Sequence, residues 1–205
     1  MRVVIADDHT FYREGLARLL RKFGVDVVGE AADGKAAVRL VEETFPDVVL
    51  LDLRMPSVSG LDAIRMLTEH SAATRVVVLS VSAEESDVTA AIAAGASSYV
   101  LKDEPVEEVM AGIRTAASGG ARISPGTATA LLGRVRGAIE AGEDLAGGGL
   151  STLELQVLDL VAAGKADREV SERLSIGEET VGDYVRSIVT KLQVESRVRD
   201  ARRTS

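Results

Sequence analysis

Residues 48–52 read Val48-Val49-Leu50-Leu51-Asp52, and residues 76–80 read Val76-Val77-Val78-Leu79-Ser80. Neither run alternates apolar with polar residues, so neither suits a strand with one wet face. Short unbroken Val/Leu runs of this kind fit strands covered on both faces, as in a parallel sheet. Working outward, Arg2–Ala6, Val25–Glu30 and Ser98–Leu101 are further short apolar runs bounded by turn or charged residues. Between and after them, Phe11–Phe23, Gly34–Thr44, Ser59–His70, Ser86–Ala94 and Glu107–Ser118 carry apolar residues at helical spacing. Five strands alternating with five helices predict a doubly wound α/β domain, with functional residues at the carboxyl edge of the sheet.

Composition limits the chemistry. The chain has 205 residues, no cysteine and two histidines, His9 and His70. Disulfides and cysteine-held zinc are excluded, and a cage of nitrogen ligands is not expected. No apolar run approaches the roughly 20 residues that span a bilayer. Val3–Ala6 is too short for a secretory leader, so the expected place is the cytoplasm, with no membrane partner. Lys and Arg number 12 against 19 Asp and Glu over residues 1–120, 3 against 3 over 121–149, and 9 against 10 over 150–205. No segment is basic enough to announce nucleic acid by net charge.

The strand ends carry a constellation. Asp7 and Asp8 follow the first strand, Asp52 ends the third, Ser80 ends the fourth and Lys102 follows the fifth. Neighbouring parallel strands bring these positions close, and carboxylates so crowded repel one another. A hard divalent cation resolves that conflict, and Mg2+ prefers oxygen ligands. A carboxylate nucleophile, a metal, a hydroxyl and an ammonium suit phosphoryl transfer to Asp52, which is mostly positioning and charge neutralisation. Ser80 would hydrogen-bond the phosphoryl group and Lys102 would neutralise it. A lone Asp at a strand end is usually a turn residue; the set at successive strand ends is what points to a site.

Val4-Ile5-Ala6-Asp7-Asp8-His9, Leu51-Asp52-Leu53-Arg54-Met55-Pro56, Gly60, Ser80, Gly95-Ala96 and Tyr99-Val100-Leu101-Lys102-Asp103 together resemble the receiver domain of bacterial response regulators, over about residues 1–120. The resemblance implies a flavodoxin-like five-stranded fold and phosphorylation of Asp52 by a partner histidine kinase. It further implies that Asp7 and Asp8 bind Mg2+ together with Asp52 and the backbone carbonyl of Arg54, and that Ser80 and Tyr99 form a switch pair. On phosphorylation, Ser80 would move toward the new group and Tyr99 would rotate inward.

After Gly119-Gly120 the pattern changes. Ser124-Pro125 predicts a helix start, running to about Ala141, within a linker over 121–149 that ends in Gly142-Glu143-Asp144 and Gly147-Gly148-Gly149. Residues 150–205 have no strand pattern and predict four short helices, an all-α unit. Val181, Val185, Ile188 and Leu192 form one stripe. A short helix, a turn at Ser175-Ile176-Gly177 and a longer helix give a helix-turn-helix layout.

Leu150-Ser151-Thr152-Leu153-Glu154, Val157-Leu158, Gly164, Glu169-Val170, Leu174-Ser175-Ile176, Thr180-Val181 and Lys191-Leu192 look like the LuxR/NarL type of helix-turn-helix, over about 150–200. With a receiver, this resembles the NarL/FixJ response regulators and implies a homodimer that binds DNA and controls transcription. Thr180, Arg168, Arg186, Lys191, Arg197 and Arg199 are candidate DNA contacts, mostly to phosphate. Asp183 is a candidate acceptor from cytosine N4, or simply a solvated helix residue. The chain departs from the family at Gly182, where a basic residue is usual, and at Asp183, Tyr184, Leu153 and Ala166-Asp167. Glu178 and Glu179 favour the helix dipole but repel phosphate. A second reading follows from these departures, a helical module that binds a protein partner. An aspartyl-phosphate phosphatase lacks its second acid/base group, so an enzyme is not expected.

Overall fold

The computed structural model describes residues 1–71, 73–140 and 149–203. Six strands form one sheet in the order β2-β1-β3-β4-β5-β6. They are β1 (Arg2–Ala6), β2 (Asp26–Ala31), β3 (Val48–Asp52), β4 (Arg75–Ser80), β5 (Ser98–Leu101) and β6 (Arg122–Ile123), and every pairing is parallel. The helices between them are α1 (Thr10–Lys22), α2 (Gly34–Thr44), α3 (Gly60–His70), α4 (Glu85–Ala94) and α5 (Val106–Ala117). Side chains of alternate strand residues divide between the two faces. Val3, Ile5, Val48, Leu50, Val77 and Leu79 pack with α1 and α5. Val4, Ala6, Val49, Leu51, Val76 and Val78 pack with α2, α3 and α4. β3 is buried along its whole length, which is why its sequence shows no alternation.

Two expectations are corrected. The sheet has six strands, not five, because Arg122 and Ile123 pair with Ser98 and Tyr99. A two-residue strand carries no periodicity of its own; register against β5 makes it one. The C-terminal unit has three described helices, not four: α7 (Thr152–Ala162), α8 (Asp167–Leu174) and α9 (Glu178–Arg203). No Gly or Pro interrupts residues 193–203, so the third helix continues where a fourth was expected. Ser175, at φ 54, ends α8 in the left-handed region, and the turn leads straight into α9.

The predicted linker helix is α6 (Pro125–Glu140). Gly142-Glu143-Asp144 and Gly147-Gly148 lie outside the described residues. The Ser124 and Thr127 hydroxyls lie 2.9 Å apart, both buried, and Thr127 donates at 3.0 Å to the carbonyl of Tyr99 in β5. This ties the start of α6 to the sheet. α6 also packs on α4 and α7, and α9 packs on α4. The apolar stripe of α9, Val181, Val185, Ile188, Val189 and Leu192, thereby belongs to the same core cluster as Val88, Ala91 and Ile92 of α4. Burial of each such side chain contributes about 1.5–3 kcal/mol. The two halves therefore share a continuous apolar contact.

Candidate functional site

The sheet register assembles the strand-end residues. Ala6 pairs with Leu51, Asp52 with Leu79, and Ser80 with Leu101. One step onward, Asp7, Asp52, Ser80 and Lys102 share the carboxyl edge, where strand order reverses between β1 and β3. Asp7 is 1% exposed, Asp52 3% and Ser80 0%. Lys102 Nζ lies 2.7 Å from Asp52 Oδ2 and 2.7 Å from Asp7 Oδ2. Its approach to Asp7 Oδ2 is off the hydrogen-bonding direction, so that buried oxygen has a charge partner but no hydrogen bond. Burial lowers the Lys102 pKa, but its close pairing with the carboxylates of Asp52 and Asp7 more than reverses this, leaving it raised. The ammonium also sits 4.8 Å over the Tyr12 ring. Burial, with the charges of Asp7 and Asp52, pushes the Tyr12 hydroxyl up to about 12.

Asp7, Asp8, His9 and Asp52 each offer a ligand atom, all within 4.8 Å of one another. Three carboxylates face one ammonium, and the surplus of two negative charges is what one divalent cation would cancel. With its oxygen donors, and an Asp7 Oδ2 that accepts no hydrogen bond, the set fits Mg2+. Asp52 Oδ1 accepts from the backbone N–H of Arg54 at 3.2 Å, so the peptide of Arg54 borders the same pocket. Gly60 is required nearby. A Cβ there would lie 2.3 Å from the Asp52 carbonyl oxygen, and Gly60 N donates to Leu53 at 3.0 Å. The loop after the acceptor is thus folded tightly back.

Ser80 Oγ accepts from Ser82 N at 3.1 Å, and the Tyr99 hydroxyl donates to Ser82 O at 2.7 Å. Tyr99 is fully buried, and burial pushes its hydroxyl up to about 12. Ser82 therefore joins Ser80 to Tyr99, a role invisible in sequence because it uses Ser82's backbone. His9, next to the acidic pair in the run Asp7-Asp8-His9, and Tyr12 also border the site, and nothing in the sequence marks Tyr12. His9 Nδ1 stands 2.8 Å from Asp8 Oδ1.

The candidate DNA contacts are spread more widely. Arg168 pairs with Glu172 at 3.1 Å and Arg186 with Asp183 at 3.4 Å, all four exposed. Thr180 is half-buried. Lys191 Nζ lies 2.7 Å from Glu154, which is 3% exposed and also accepts from Ser187 at 2.7 Å and Ser151 N at 2.6 Å. Lys191 is thus engaged in the hub that locks α9 to α7. Burial raises the Glu154 pKa, but its bonds to Lys191, Ser151 and Ser187 prevail and hold it at about 2. The side chains of Arg197 and Arg199 lie outside the described residues.

A doubly wound sheet with this acid–lysine pocket, followed by a three-helix helix-turn-helix, defines an aspartate receiver joined to a regulatory output unit. Residues 3–114 match the response regulator receiver domain, and residues 149–203 match the bacterial regulatory proteins of the luxR family. The chain is 36% identical to the transcriptional regulatory protein LiaR of Bacillus subtilis, covering 98% of this chain and 95% of that one. It is 35% identical to the nitrate/nitrite response regulator NarL of Escherichia coli, covering 97% and 92%. The solved receiver domain of the response regulator NarL of Mycobacterium tuberculosis is 40% identical, with a TM-score of 0.56 over 58% of this chain and 96% of that one. The chain belongs to the two-component response regulators that couple a receiver domain to a LuxR-type helix-turn-helix, a family of transcription regulators. Among the described residues no helix is long and apolar enough to cross a membrane.

Proposed function

We propose that this chain is a phosphorylation-controlled transcription regulator that takes its phosphoryl group on Asp52 from a histidine kinase and binds DNA as a homodimer. The carrying observation is the ammonium of Lys102 at 2.7 Å from both Asp7 and Asp52. Residues 1–120 serve as receiver, 121–149 as linker and 150–205 as output domain. A cytoplasmic kinase partner and a cytoplasmic site of action follow from this reading.

One oxygen of Asp52 forms a P–O bond as the P–N bond of the donor phosphohistidine breaks, and the imidazole leaves. Asp7, Asp8, Asp52 and the backbone carbonyl of Arg54 would hold Mg2+. When bound, it supplies neutralisation of the oxygens of the transferring group. Lys102, held between the two aspartates, is placed to follow the charge onto the phosphoryl oxygens. Ser80 can then exchange its bond to Ser82 N for one to the phosphoryl group. Tyr99 is already inward, so the moving part of this switch is Ser82 and the loop that begins α4. Because α4 packs on α9, a shift there changes the balance between joined and separated halves.

The test is enrichment of sequences from a random duplex pool by the full chain, with and without beryllofluoride and Mg2+. Selection of a two-half-site sequence, strengthened by beryllofluoride in the native chain and not in Asp52→Asn, is expected. Loading without any DNA enrichment would refute the DNA reading in favour of a protein partner.

A further inference from the structure

The Lys102 ammonium meets two carboxylates and one aromatic ring. Its Nζ lies 2.7 Å from Asp7 Oδ2, 2.7 Å from Asp52 Oδ2 and 4.8 Å from the ring centroid of Tyr12. A cation within about 6 Å of a ring centroid is drawn to the negative face of the ring, and more strongly where water is kept out. Here the Lys102 side chain is only 8% exposed, although Lys102 and Tyr12 both line a cleft of about 310 Å3 shared with Phe11, Leu16, Val106 and Val109. The place of the ring is set by α1. Tyr12 stands in its first turn and packs on the core cluster that includes Leu16, Val100 and Val109. Arg13 beside it donates to the backbone carbonyl of Asp7. The start of α1 is thus tied to the strand end that carries Asp7.

We infer that Tyr12 is a positioning residue for phosphoryl transfer, its ring confining the Lys102 ammonium to the site while Asp52 lets go of it. Both carboxylates that hold the ammonium change role in the reaction. Asp52 commits an oxygen to the new P–O bond, and Asp7 is one of the proposed metal ligands. The ring does neither, so it is the contact that persists. Attraction to a ring face falls off gradually, so from 4.8 Å the ammonium can move by about an ångström toward the phosphoryl oxygens and stay in range. A charge kept at its point of use avoids the reorganisation that an unconfined lysine would undergo, and that saving appears in the rate. Before transfer the two carboxylates suffice to hold Lys102, so loss of the ring is felt more in the transition state than in the resting site. This inference rests on the reading of Asp52 as the acceptor.

The experiment follows phosphorylation of the full chain by acetyl phosphate and Mg2+, read as intact mass against time. Tyr12→Phe keeps the ring and should stay within about twofold of the native rate, whereas Tyr12→Leu should fall about fivefold. Tyr12→Phe made with one, two or three ring fluorines withdraws charge from the ring face with little change of size. The logarithm of the rate should fall in step with the number of fluorines, the thermal midpoint confirming that each variant is folded. A rate indifferent to fluorination would overturn the inference, because the residue would then only fill space. A loss in Tyr12→Phe as large as in Tyr12→Leu would also overturn it, since the hydroxyl and not the ring would be at work. Absence of phosphorylation of the native chain, or its persistence in Asp52→Asn, removes the acceptor reading and the inference with it. A native chain phosphorylated on Asp52 at a fluorine-independent rate removes the inference alone.

Discussion

Lys102 shows why the candidate site depends on individual residues. Its ammonium separates two buried carboxylates, and without it Asp7 and Asp52 face each other across a site nearly closed to water. Breaking one partner out of a buried charge cluster costs about 3 kcal/mol. Lys102→Met should lower the thermal midpoint of the metal-free chain, and added Mg2+ should restore part of it, read by differential scanning calorimetry. No change in the midpoint would contradict the pairing. The acids, Ser80 and Lys102 were all legible in the sequence, since each stands at the end of an apolar run and the alternating topology fixes where such ends meet. Ser82 was not, because it acts through backbone atoms that any residue has. Lys191 was read as a DNA contact from its charge, and its pairing with Glu154, 37 residues away, emerges only from the packing of α9 on α7.

At the scale of elements, β1, β3, β4 and β5 were legible because burial along most of their length leaves an unbroken apolar signature, and the half-buried edge strand β2 was legible from its short Val run between charged residues. β6 escaped because two residues contain no pattern, and only the neighbouring register makes Arg122–Ile123 a strand. The length of α9 was readable in principle from the absence of a breaker, but helical periodicity weakens where the helix leaves its core. What fastens α9 to α7 is the Glu154 hub, and its charge gives a pH signature. The Glu154 carboxyl is held at about 2, below its ordinary 4.5. A depressed carboxylate gives stability that is full above pH about 4.5 and is lost as pH falls toward about 2. Glu154→Gln should therefore destabilise the output helices by about 3 kcal/mol at pH 7. The difference from the native chain should shrink as pH falls through that window, followed by thermal circular dichroism. A difference independent of pH would place the effect in packing, not in the ion pair with Lys191.

For the whole molecule, the apolar face of α4 serves two partners. It covers the sheet of the receiver and it also meets α9, so the two halves share one core cluster. A shared surface of this kind is how a local charge event can bias a distant helix, because α4 cannot shift without altering its contact with α9. Along the way from Asp52 to α4, Asp52 pairs in the sheet with Leu79 beside Ser80, Ser82 N donates to Ser80 Oγ, and Glu84 N at the start of α4 donates to Ser82 Oγ. All of it depends on Asp52 being the acceptor. The direct measurement is intact mass after incubation with acetyl phosphate and Mg2+, for the native chain and for Asp52→Asn. The account predicts one added phosphoryl group on the native chain and none on the variant. Equal phosphorylation of Asp52→Asn would contradict it.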